Sequence, residues 1–259
     1  MTLFDIQSPP LARLQNWYRS PLGQEAARIE CASVQRLLAN TFGYYLIQVG
    51  VIETFRDALA ASRIRHRILI PGEVQDAPTA VQPWPQILAR ADQLPLASDS
   101  VDAILLPHTL DFAADPLAVL SEVERILIPA GRVVILGFNA MRAWGGRGLI
   151  ERARGRAPWC GRFRTAAQTA KRLSALGFDI EVCEHMMYRL PFRRTLCARC
   201  EPFESWGPRF LPRLGGIYVL RAVKRVATLT PLKPSWFGRR RTILAGGAMR
   251  PTRRGTGHV

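Results

Sequence analysis

The chain has 259 residues and a formal net charge of +16, carried almost wholly by arginine. That length is enough for a full hydrophobic core, read as one α/β domain with an appendage, and the mixed composition excludes a fibrous or wholly disordered chain. The charge points to an anionic counterpart such as nucleic acid, a membrane surface or an acidic substrate, or else marks a solvated surface of biased composition.

Met1-Thr2-Leu3-Phe4-Asp5 has no basic segment leading into an apolar core, and no stretch reaches membrane-spanning length, so a soluble cytoplasmic protein is expected. Five cysteines at irregular spacing read as reduced thiols. Residues 1–42 are expected to form an N-terminal helical extension, with Trp17-Tyr18 ahead of a helix that Ser20-Pro21 starts. Its apolar face is Ile29, Ser33, Val34, Leu37 and Leu38, and Gly43 is the expected stop. Tyr44 to Gly50 is an apolar strand ending in glycine, the place where an open α/β sheet turns into a helix beside its ligand.

Helix residues follow from Thr54 to about Ser62, then a second strand, Arg67 to Ile70. Gly72 to Pro85 is proline-rich and turn-like, and Ile87 to Ala91 is the expected third strand, followed by Asp92-Gln93. Val101 to Leu106 is a continuous apolar run of the kind a strand buried on both faces requires. Asp115-Pro116 starts a helix whose stripe is Val119, Leu120, Val123, Ile126 and Leu127. Pro129-Ala130-Gly131 should break it before the strand Val133 to Leu136. Strand, helix and strand imply a parallel crossover. A loop from Asn139 to Arg147 leads into an arginine-rich segment, a helix from Thr165 to Gly177, a strand from Phe178 to Cys183 and a last strand from Ile217 to Val223. Cys197 and Cys200 have C-x-x-C spacing near Cys183 and His185, but a second such pair is missing, so idle thiols are the reading and no metal is expected. From Ala227 onward the chain is basic, without an acid, and is expected to be a disordered tail.

Leu94-Pro95-Leu96, Asp99-Ser100-Val101-Asp102, His108-Thr109-Leu110-Asp111, Asp115-Pro116, Glu122, Arg125-Ile126-Leu127 and Pro129-Ala130-Gly131 follow one another in an order that resembles class I S-adenosylmethionine-dependent methyltransferases. The most similar subgroup is the small-molecule, ubiquinone-biosynthesis-like type 11 set, and the resemblance runs from about Ala91 to Phe138. It implies a doubly wound, mostly parallel, Rossmann-like sheet of about seven strands spanning residues 43–226, with a basic tail at 227–259 and S-adenosylmethionine as cofactor. Such enzymes carry an acid and several glycines at the turn after the first strand. Here Gln48 stands in the place of the acid, Val51-Ile52-Glu53 in the place of further glycines, and Gly50 remains. No G-x-G-x-x-G occurs, which argues against a dinucleotide-binding dehydrogenase.

The resemblance further assigns Glu73 to the ribose, Asp92 and the Gln93 backbone to the adenine, and Leu106 to the cofactor wall; Asp92 read alone equally caps a turn. Trp17 and Tyr18 line the pocket or fill the join between helix and domain. Methyl transfer is an in-line displacement that positioning can drive, so no dedicated catalytic motif is required. The Asn/Asp-Pro-Pro-aromatic signature of amine-modifying nucleic-acid methyltransferases is absent, with Leu106-Pro107-His108-Thr109 in its place. His108 either takes a proton from the acceptor or hydrogen-bonds backbone in the turn. Asn139, Arg142 and Trp144 are the expected contacts of a small, anionic acceptor. The alternative is a degenerate relative that serves as a scaffold, meeting RNA or an acidic protein through its basic loop and tail.

Overall fold

Two helices precede the first strand in a computed structural model of the chain, which describes residues 10–71, 83–140, 157–188 and 215–225: α1 (Pro10–Tyr18) and α2 (Pro21–Leu38). Ser20 caps α2 as its sequence predicts, its hydroxyl accepting from Gly23 N at 3.1 Å with Pro21 in the first turn. The helix ends at Leu38 rather than near Gly43, and Thr41 N turns back to Leu38 O at 3.0 Å. There follow β1 (Tyr45–Val49), a 3₁₀ turn (Glu53–Phe55), α3 (Arg56–Ala60), β2 (His66–Ile70), β3 (Val101–Pro107), α4 (Thr109–Phe112), α5 (Pro116–Ile126), β4 (Leu127–Phe138), α6 (Ala166–Ala175), β5 (Phe178–Met186) and β6 (Ile217–Lys224).

The strands lie in the order β2-β1-β3-β4-β6-β5. The first four are parallel, and β6 runs antiparallel to both β4 and β5. β1 and β3 are neighbours, with Leu46, Ile47 and Gln48 opposite Ala103, Ile104 and Leu105. Because side chains alternate across a strand, Leu46, Leu105, Val134 and Leu136 share one core with α1, α2 and α3, while Ile47, Ile104, Leu106 and Ile135 share the other with α5 and α6. The helices before residue 43 are thus one outer layer of a doubly wound sheet.

Among the described residues the sheet has six strands rather than seven. The expected strand at Ile87 to Ala91 is reduced to a bridge on the outer edge of β2, where Leu69 N donates to Pro85 O and Ile87 N to Leu69 O, both at 2.9 Å. Pro83 and Pro85 have no N–H with which to extend the pairing. The break expected at Pro129-Ala130-Gly131 is absorbed too: β4 begins at Leu127 and passes through these residues with Ala130 at φ 64°. The register against β3 slips there, from Val101–Leu127 to Ala103–Arg132, as a bulge does.

Caps set the remaining helices. The Asp115 carboxylate accepts from Leu117 N at 2.8 Å and Ala118 N at 3.3 Å, and Thr165 and Gln168 cap α6 reciprocally before Gly177, at φ 86°, ends its last turn. Glu122 and Arg125, one helical turn apart on α5, hold the loop that precedes β3. Glu122 Oε1 accepts from Leu94 N at 2.8 Å, and Arg125 Nη2 donates to Leu94 O and Leu96 O. Arg125 beside it keeps the Glu122 carboxyl below its ordinary range. The contacts divide the chain into units 1–226 and 227–259, and all described residues belong to the first. No described helix is long and apolar enough to cross a membrane.

Candidate functional site

The carboxyl ends of β1 and β3 meet at Gly50. Its φ of +113° suits glycine, and a Cβ there would lie 2.6 Å from Thr109 Oγ1 and 3.3 Å from Pro107 O. The Thr109 hydroxyl donates to Val49 O, so the neighbouring strand end is what presses on this glycine. Gln48 is fully buried; its amide nitrogen donates to Val51 O and, at 3.5 Å, to Ile52 O, while its Oε1 has no partner. Val51 and Ile52 are buried as well. The departures from the glycine-rich pattern are therefore linked: side chains at 51 and 52 fill the turn, its carbonyls face inward, and a glutamine can donate to them where an ionised acid cannot.

His108 follows β3 in the left-handed conformation, at φ 57°, and is wholly buried. Nε2 lies 2.9 Å from Glu30 Oε1 on α2, and Nδ1 lies 3.1 Å from Asp111 Oδ2 on α4. The Tyr18 hydroxyl, at the end of α1, donates to Glu30 Oε2 at 2.6 Å, and Phe138 N, at the end of β4, donates to Asp111 Oδ2 at 2.9 Å. Asp111 Oδ1 is buried without a partner. Burial alone would lower the His108 pKa, but the Glu30 charge and the hydrogen bonds to both carboxylates outweigh it and raise the pKa to about 9. At neutral pH the ring is an imidazolium donating from both nitrogens. Burial pushes the Asp111 carboxyl up against the pull of His108, and burial reinforced by Glu30 keeps the Tyr18 phenol protonated. The ring stacks on Phe138 at 4.0 Å, and Trp17 meets Phe138 edge-on at 5.8 Å.

Of the residues singled out from sequence, Gln48, Gly50 and His108 gather at adjacent strand ends on the side where Trp17 and Tyr18 pack, whereas Leu106 faces the opposite core. Leu106 is fully buried. Tyr18 hydrogen-bonds Glu30 and lies 6.2 Å from Phe55, so both aromatics occupy the join between helix and sheet. His108 bonds two carboxylates instead of backbone, and neither nitrogen is left for an acceptor's proton. Asp92 is held by Arg90, which donates to it at 2.9 and 2.7 Å and keeps its carboxyl low, and Gln93 is exposed. Asn139 is buried, its amide donating to Gly215 O at 2.9 Å. Glu73, Arg142, Trp144, Cys197, Cys200 and the tail lie outside the described residues. Within the described residues, no cluster of His, Cys, Asp or Glu has a metal-binding arrangement.

Sequence reasoning missed Glu30 and underread Asp111. The signal for Glu30 was its spacing: Ala26, Glu30, Val34 and Leu37 form one buried stripe of α2, so a carboxylate there must enter the core. Its partner is 78 residues away, which no local pattern shows.

A family model of the methyltransferase domain matches residues 69–135. The Escherichia coli protein YafS, itself uncharacterised, is 30% identical over 200 residues, 75% of each chain. The methyltransferase of the Haloferax volcanii Trm112 activator complex superposes with a TM-score of 0.58 at 15% identity, over 82% of this chain and 98% of that one. An S-adenosylmethionine-dependent methyltransferase of Mesorhizobium loti does so with a TM-score of 0.53 at 17% identity, over 74% and 96%. At such identities the two structures speak for the fold, and the sequence matches carry the relationship. Strand order and family match agree, and the chain belongs to the class I S-adenosylmethionine-dependent methyltransferases.

Proposed function

We propose that this protein transfers a methyl group from S-adenosylmethionine to a small-molecule acceptor. The observation that carries the reading is a pair of buried acceptor oxygens without partners, Gln48 Oε1 on β1 and Asp111 Oδ1 on α4, the helix that follows the neighbouring strand β3. Buried acceptors left unpaired are costly, and a cationic ligand with N–H donors satisfies them. S-adenosylmethionine has such an ammonium end and supplies a methyl group on a sulfonium. Gln48, Gly50 and Leu106 would hold it at the sheet, with Glu73 at the ribose and Asp92 and Gln93 at the adenine once Asp92 exchanges Arg90 for the ligand. His108 acts as a positioning residue: clamped between Glu30 and Asp111, it fixes Pro107 and Thr109, which form the wall beside Gly50. The acceptor's proton then leaves to solvent, which suits a nucleophile ionised or unprotonated before it binds. Trp17 and Tyr18 exclude water from above. Asn139, Arg142 and Trp144 are the proposed contacts of an anionic acceptor.

Isothermal titration with S-adenosylmethionine tests this reading. Binding is expected for wild type, weakened at least fivefold in Gln48→Met, which keeps the volume and removes the orphan oxygen together with the amide that donates to Val51 and Ile52, so thermal melting of the variant accompanies the titration. One observation favours a second reading, a scaffold that has lost the cofactor: Val51, Ile52 and Thr109 occupy the turn that glycines leave open in the family. Absence of binding at millimolar cofactor would select that reading, with RNA or an acidic protein as partner.

A further inference from the structure

Phe42, Tyr44 and Tyr45 are 64%, 65% and 43% exposed and stand within one four-residue turn at the amino end of β1, the opposite edge of the sheet from His108. Solitary exposed aromatics need no explanation, but three together do. The turn is built to hold them. The Asp102 carboxylate accepts from both Tyr44 N and Tyr45 N at 2.9 Å, His66 N donates to Tyr44 O at 2.7 Å, and Arg65 N donates to Gly43 O at 3.3 Å. The Arg63 guanidinium lies 5.4 Å from the Phe42 centroid, and the exposed His66 ring stacks on Tyr45 at 5.4 Å and 28°. Arg63 and Arg65 are exposed and, among the described residues, pair with no carboxylate, and the Asp102 carboxylate under the same turn is taken up by backbone N–H groups.

We infer that this edge is a binding surface for single-stranded RNA. Exposed flat rings on one pinned turn offer stacking faces to unpaired bases, and the Arg63 and Arg65 guanidiniums near them offer counter-charges to the phosphates between those bases. The pinned backbone lowers the entropy lost on binding. A duplex buries its base faces and gains only the charge. An anionic bilayer would use the same cations, but two of the three rings carry hydroxyls and the turn is tied flat against the sheet end rather than projecting as an apolar wedge.

The test is fluorescence polarisation of a labelled twelve-residue oligouridylate with the full chain, at 50 and 200 mM salt. Phe42→Ala with Tyr44→Ala should weaken binding at least fivefold, since stacking contributes roughly 1–3 kcal/mol per base. Tyr44→Phe should keep wild-type affinity. Arg63→Ala with Arg65→Ala should reduce the slope of log K against log salt by about 1.4, the share of two phosphate contacts on a single strand. Lys171→Ala with Arg172→Ala, which removes the same charge from α6, should leave that affinity within twofold. Four results would overturn the inference: no binding by wild type, equal binding by the ring variant, duplex RNA bound as tightly as the single strand, or ring-dependent capture by anionic vesicles without capture of the oligonucleotide.

Discussion

Glu30→Gln is the most informative single change, because it removes one negative charge from the buried cluster and keeps its shape. Glutamine can still accept from His108 Nε2, and Tyr18 can rotate its hydroxyl to accept from the new amide. The imidazolium loses its main electrostatic partner. In wild type the His108 pKa rises from 6.5 to about 9, which corresponds to about 3 kcal/mol of preference for the charged ring in the folded state. The sign follows: with the folded value above the unfolded one, this stabilisation is complete below pH 6.5, declines as pH rises and is gone above about 9. Asp111, also raised by burial, is present in both proteins, so its own loss of stability with rising pH is common to the two curves. Urea unfolding of both proteins at pH 6, 7.5 and 9.5 should show the variant less stable by up to about 3 kcal/mol at pH 6, the linkage energy of the lost charge partner. The gap should close by pH 9.5, where His108 is mostly neutral and the buried Glu30 keeps the Tyr18 hydroxyl but no opposite charge. A difference that is constant across this range, or a His108 ring in wild type that titrates below pH 7 by NMR, would refute the ion-pair account.

Gly50→Ala should lower stability by about 2 kcal/mol or more, since the added methyl meets Thr109 Oγ1 at 2.6 Å on a backbone at φ +113°; thermal melting checks this, and Gly50→Ala with Thr109→Ala should recover only the steric part. Gln48→Glu should cost about 1–3 kcal/mol at pH 8, because a carboxylate replaces the donor facing the Val51 and Ile52 carbonyls; an equally stable variant would show that the amide does not tie the turn. Arg125→Ala frees the carbonyls of Leu94 and Leu96, and hydrogen exchange in residues 92–96 should quicken while that of β4 stays slow.

Much of the central sheet was legible because its signals are local. Continuous apolar runs marked β1, β3 and β4, and side-chain oxygens followed by proline marked the starts of α2 and α5. Where the reading departed from the structure, a long-range partner decided. Ile87 to Ala91 has strand composition, yet the prolines before it leave one bridge. Pro129-Ala130-Gly131 has the composition of a turn, but pairing with β3 draws it into a bulged strand. His108 was found at its strand end. Its role was not legible, because the groups that occupy its nitrogens come from α2 and α4, and only tertiary packing brings the α2 carboxylate to it. The relation between Gln48 and residues 51 and 52 is local, yet it reads as degeneration until the direction of the carbonyls is known.

The link between Glu30 and His108 also bears on how the chain is made. Helix α2 leaves the ribosome with a carboxylate inside its apolar stripe, and the imidazole that neutralises it emerges 78 residues afterwards. At synthesis rates of about 5–20 residues per second the helix waits roughly 4–16 s for that partner, and longer for Phe138, which orients Asp111. During this interval docking the helix would strand a charge in the core, so α2 is expected to dock only after β3 has emerged, although it is translated before it. A nascent chain arrested before residue 108 should expose α2 to proteolysis, and one arrested after β4 has cleared the exit tunnel should protect it.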